Sequence, residues 1–124
     1  MNTPVNFEIA KLLKDSGFDK ISCSGYYHIC EGYTKGYAHC YSDVNTQKEN
    51  VVLAPTIAEV VMWLYEKHGI WIEVKSPDYK DMDWYFSIHK PYKFGNHYNG
   101  EKIYYPSPTE AYEAAIKYTL ENLI

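Results

Sequence analysis

Residues 56–89 read TIAEVVMWLYEKHGIWIEVKSPDYKDMDWYFSIH, and within that stretch the apolar period changes from about 3.6 to about 2 at Gly69. Thr56 followed three positions later by Glu59 is the pattern of a capping box, in which side-chain oxygens satisfy the free N–H groups of a helix start. Gly69 supplies the left-handed residue that ends such a helix. Between residues 57 and 65 only Glu59 is charged, so the helix should be buried on more than one side, with Trp63 an odd companion of Glu59, Glu66 and Lys67. Beyond the glycine, Ile70, Ile72 and Val74 alternate along one strand and Met82, Trp84, Phe86 and Ile88 along the next, with the turn-forming SPDYKD between them. The stretch therefore reads as a helix followed by a β-hairpin. Its outer face would carry Trp71, Glu73, Lys75, Asp83, Tyr85, Ser87 and His89.

Helix signals recur on both sides. Thr3 and Pro4 predict an N-cap and first helical residue for a helix over residues 4–16 with Val5, Ile9, Leu12 and Leu13 facing inward. Gly17 would stop it, and Phe18 would fold back on its last turn. Residues 21–29 and 33–41 alternate as strands do, and the polar run 42–50 reads as a surface loop. Residues 90–106, rich in Tyr, Asn, Gly and Lys, read as a long loop with a short strand at 103–105. Ser107, Pro108 and Glu110 then open a last helix whose apolar stripe would be Tyr112, Ala115, Ile116, Leu120 and Leu123. The expected fold class is α+β, a single domain over residues 1–124, with three helices packed on a small, mainly antiparallel sheet in the order αββαββα.

A chain of 124 residues buries roughly two-thirds of its unfolded surface and needs no disulfide or metal staple. Cys23, Cys30 and Cys40 are an odd set without CxxC spacing, which predicts free thiols. Glu8, Lys11, Lys14 and Asp15 interrupt the N-terminal apolar run, so neither a signal peptide nor a membrane span is expected and the cytoplasm is the predicted location. Arginine is absent while tyrosine occurs 14 times, and the net charge is −4. Arginine is the usual bidentate donor to phosphate and guanine, so its absence argues against a sequence-specific DNA reader or a phosphoryl-transfer enzyme built on an arginine clamp.

Three functional readings follow, in order of preference. The first is a non-enzymatic accessory or interaction domain, contacting a second copy or another protein through the aromatic side chains Trp63, Trp71 and Tyr85 together with His89. The second is a weak single-stranded nucleic-acid binder, in which Lys90, Lys93 and Lys102 meet phosphates while Tyr92, Phe94 and Tyr98 stack on bases. The third is a small metal-dependent or acid–base enzyme. For it, His28, Cys30 and His39 are the candidate three-ligand set, and Glu73, Asp81 and Asp83 the candidate carboxylates. No GxSxG, P-loop or HExxH pattern occurs, so no catalytic residue, metal ligand or cofactor is assigned.

The stretches FEIAKLLKDSGF, APTIAEVVMWLYEKHGIWIEV and PTEAYEAAIKYTLENLI contain a WL-x-E-K-H-G-I core and an EA-x-EA-A tail. In these three stretches the chain resembles a family of small uncharacterised proteins encoded in gut anaerobes and their phages or mobile elements. The resemblance covers about half of the chain and rests on caps and core stripes. It implies no site residues.

Overall fold

The structure is a computed structural model that describes residues 3–18, 25–30, 33–39, 51–76, 83–90, 97–98 and 104–124; of residues 25–30, 33–39, 51, 97 and 98 only the backbone is described. The fold class is α+β. In chain order the elements are α1 (Phe7–Asp15), β1 (Gly25–Cys30), β2 (Tyr33–His39), β3 (Val51–Leu53), α2 (Ile57–His68), β4 (Trp71–Lys75), β5 (Tyr85–His89), β6 (His97–Tyr98) and α3 (Pro108–Asn122). The one sheet expected from the sequence is two, each of three antiparallel strands, in the orders β2-β1-β3 and β4-β5-β6. The chain divides into two compact units, residues 1–59 and 60–124.

In the first unit, helix α1 starts later than Thr3 and Pro4 suggest. Pro4 forms an isolated bridge with Thr56, the Val5 N–H donates to the Pro55 carbonyl at 2.9 Å, and the Ile57 N–H donates to the Thr3 carbonyl at 3.0 Å. That pairing holds residues 3–5 extended, and the N-cap passes to Asn6, whose Oδ1 accepts from the Ile9 N–H at 2.9 Å. Val5 and Ala10, both buried, occupy the two positions of a hydrophobic staple. The C-terminus is as expected. Gly17 has φ +85°, the Phe18 N–H donates to Leu13 O at 2.9 Å and the Gly17 N–H to Lys14 O at 3.2 Å, the two bonds of a Schellman motif, and Phe18 is buried.

Strands β1 and β2 pair from Gly25↔His39 to Cys30↔Tyr33, with a register shift between Tyr27 and His28 that leaves Gly36 over on β2, as a β-bulge does. Strand β3, which lacks enough residues to show a period, pairs with the other edge of β1, and α1 lies against it. The expected loop 42–50 lies outside the described residues.

In the second unit, α2 ends where the sequence places it. Gly69 has φ +65° and its N–H donates to Tyr65 O at 3.1 Å. At its start the Thr56 hydroxyl accepts from the Glu59 N–H at 3.3 Å and donates to Glu59 Oε1 at 3.2 Å, so the carboxylate meets the hydroxyl. Ser107 and Glu110 repeat the arrangement at α3, at 3.2 and 3.4 Å. The hairpin register runs from Trp71↔His89 to Lys75↔Tyr85. Ile70, Ile72, Phe86 and Ile88 are buried as expected, Val74 and Trp84 are half-buried, and Met82 lies outside the described residues. Ser87, expected on the open face, is buried too, so the middle of β5 is covered on both sides.

Of the short strand expected at 103–105, residue 103 lies outside the described residues, and Tyr105 pairs with Trp84 through two backbone hydrogen bonds of 2.7 and 2.9 Å. Helix α3 packs on β4 and β5. Its buried stripe is Ala111, Ala115, Ile116, Thr119 and Leu120, rotated from the expected one, with Tyr112 and Leu123 half-buried. The reason is size: Ala111, Ala115 and Thr119 stand four apart and admit a close approach, while the Thr119 hydroxyl donates to the Ala115 carbonyl at 2.8 Å.

Candidate functional site

The outer face of the second unit begins with α2. Positions 60, 61, 63 and 64 are buried, which leaves Met62, Tyr65 and Glu66 on the solvent side of the helix. Trp63 is therefore corrected from surface to core: it is 2 % exposed, and its ring meets His68 edge-on at 5.0 Å. The exposed aromatic on α2 is Tyr65, a residue the sequence pattern does not single out as a site.

Gly69 turns the chain so that Trp71, the first residue of β4, comes back against Tyr65 with ring centroids 5.6 Å apart and planes at 81°. Edge-to-face contact of this kind suits the ring quadrupoles. Both rings still face solvent: Tyr65 is 51 % and Trp71 40 % exposed, and Met62 beside Tyr65 is 42 % exposed. The three form an apolar patch at one end of the hairpin.

Tyr85 lies at the other end. It pairs with Lys75, four positions from Trp71, a displacement of roughly 13 Å along the strand. Its aromatic partner is Tyr104, half exposed, at 6.3 Å and 81°. Trp71 and Tyr85 are thus members of two separate aromatic pairs.

Charged groups fill the space between the pairs. Glu73 Oε2 is 3.1 Å from His89 Nε2 and Glu73 Oε1 is 3.2 Å from Lys75 Nζ. The hydrogen bond from Lys75 is the main cause that holds the Glu73 carboxyl below its ordinary pKa; burial opposes it and the hydrogen bond from His89 adds to it. Tyr112 on α3 is pushed above the ordinary phenol value, first by burial and then by the Glu73 charge, and Tyr105 is pushed up by burial.

The residues proposed for nucleic acid divide differently. Lys90 Nζ donates to the Leu123 carbonyl at 3.1 Å, so its charge serves the C-terminal end of α3. Tyr98 lies in β6, and Tyr92, Lys93, Phe94 and Lys102 lie outside the described residues. In the first sheet, His39 pairs with Gly25 and His28 with Lys35, three positions apart along β1. Among the side chains described, no three of His, Cys, Asp and Glu group to hold a metal ion. Asp81 lies outside the described residues, and Asp83 is exposed.

Among the described residues no helix is long and apolar enough to cross a membrane. Comparison with protein-family models, curated proteins and solved structures finds no match to this chain.

Proposed function

We propose that this protein is a non-enzymatic interaction module that pairs with a second copy of itself in the cytoplasm, and that Met62, Tyr65 and Trp71 form the centre of the contact. The observation that carries this reading is the Tyr65–Trp71 pair, two large rings that order each other yet stay 51 % and 40 % exposed. Rings already fixed against each other lose little rotamer freedom on binding, which is the property of an interface anchor. Fully burying a large apolar side chain contributes about 1.5–3 kcal/mol and covering the half that is still open correspondingly about half as much, and a symmetric pair of copies counts every residue twice. A standard interface takes roughly 800 Å² per partner, about a tenth of the 7948 Å² accessible surface. Glu66, Lys67 and His68, exposed on the same helix, would form its polar rim.

Light scattering coupled to size-exclusion chromatography tests this. The wild-type chain should elute as a dimer at micromolar concentration, and Trp71→Ala with Tyr65→Ala should elute as a monomer while retaining the wild-type far-ultraviolet spectrum. A wild-type monomer across the concentration range, or a dimer unchanged by both substitutions, would overturn the proposal.

A further inference from the structure

Strand β4 stands at an edge of the second sheet: among the described residues, β5 is the only strand paired with it. In an antiparallel ladder successive residues turn their N–H and C=O groups to opposite sides, so about half of these groups along Trp71–Lys75 face away from β5. Edges that stay single are blunted by proline, a bulge, charge or very short length. β4 has five residues without proline or glycine, its register with β5 runs without a shift, and its one lysine, Lys75, sits at the end away from Trp71. Trp71 and Lys75 are exposed, and Glu73 and Val74 between them are half-buried. The edge is open to pairing, and it starts at the ring that Tyr65 contacts.

We propose that β4 pairs antiparallel with β4 of a second copy across a two-fold axis at Ile72, joining the two second sheets into one of six strands. The inference rests on the self-association proposed above and specifies how the copies meet. Three two-fold registers pair at least three residues of β4 with their counterparts, centred on Ile72, Glu73 or Val74. Directly opposed residues share a face, and like charges there destabilise. The Glu73 register sets two carboxylates against each other and is disfavoured. The Val74 register matches Glu73 with the second copy's Lys75, a partner that Glu73 already has within its own strand at 3.2 Å. It also sets each Trp71 three residues from the axis on opposite sides, so that the two rings stand roughly 20 Å apart. In the Ile72 register Ile72 meets its own copy and Ile70 meets Val74. Trp71 then lies opposite Glu73, with the second Trp71 as its diagonal neighbour about 7–8 Å away, within reach of an aromatic side chain. Each Trp71 has Tyr65 against it, so the two aromatic pairs become one cluster across the axis. The two Glu73 carboxylates stay apart, and Lys75 remains at the margin, opposite Gly69.

Amide hydrogen exchange of the full chain, read residue by residue by NMR in dilute and concentrated samples, tests the pairing. In the dimer the β4 amides that face away from β5 should exchange at least about ten-fold more slowly than in the monomer. In dimers mixed from isotope-labelled and unlabelled chains, through-space contacts should join Trp71 of one copy to Glu73 of the other. A dimer whose outward β4 amides exchange as fast as in the monomer would overturn strand pairing while leaving the aromatic contact standing. Contacts between Val74 and its own copy would overturn the register. A monomer at every concentration would overturn both this inference and the self-association on which it rests.

Discussion

Gly17 holds φ at +85°, and among the described residues no atom beyond its chain neighbours lies within 4 Å of the place a Cβ would occupy. Gly17→Ala therefore tests backbone strain alone, with no steric clash to confuse it. Urea unfolding should show a loss of about 1–2 kcal/mol, the cost of a left-handed conformation for an L residue. The tryptophans divide the same way by environment. Trp63→Ala empties a core position and should cost about 3–5 kcal/mol, whereas Trp71→Ala, at a position 40 % exposed, should cost about 1 kcal/mol or less. Tyr105 gives a pH signature. Its folded-state pKa is raised, so the stability it contributes is complete below the unfolded phenol value of about 10 and is lost as pH rises through the folded value. Spectrophotometric titration of Tyr105→Phe should lack one of the late-titrating phenols of the wild-type chain. The glycines were legible as residues because φ > 0 is a local demand. Trp63 was not: a ring next to Glu59 and Glu66 in the helical projection looks exposed, and only tertiary packing, which buries Trp63 along with Val60, Val61 and Leu64, decides otherwise.

At the scale of elements, ends were easier to read than partners. The glycine stops of α1 and α2, the Ser107 cap and the hairpin follow from chemistry within a few residues of each boundary, and all stand where the sequence places them. Helix α1 shows the limit. Thr3-Pro4 is a good local start, but the backbone hydrogen bonds of residues 3 and 5 go to residues 55–57, some fifty positions away, and Asn6 caps the helix instead. Asn6→Ala should therefore lower stability by about 1 kcal/mol in chemical denaturation, and Thr3→Ala by no more than a few tenths. Equal losses at the two sites would return the helix start to Thr3. Strands β3 and β6, of three and two residues, went unread because period 2 needs more residues than they have. The stripe of α3 was misplaced by one column, since hydrophobicity favoured Tyr112 and Leu123 where close approach to β4 and β5 favours Ala111 and Thr119.

For the molecule as a whole, the surface that the sequence marked as unexplained by folding survives in part. Trp71 and Tyr85 are partly open to solvent, but the register sets them at opposite ends of the hairpin, each against a different tyrosine, Tyr65 and Tyr104. Strand alternation indicates that two residues share a face and says little about how far apart they lie; the pairing of Trp71 with His89 and of Tyr85 with Lys75 supplies that distance. The central claim is that the Met62–Tyr65–Trp71 patch joins two copies of the chain by apolar burial. Sedimentation velocity over a hundred-fold range of protein concentration, at low and at high salt, tests it most directly. A dimer that forms with concentration and persists as salt rises is the predicted result, because burial of apolar surface is not screened as ion pairs are. A single monomeric species at every concentration, or a dimer that dissociates as salt rises, would contradict it.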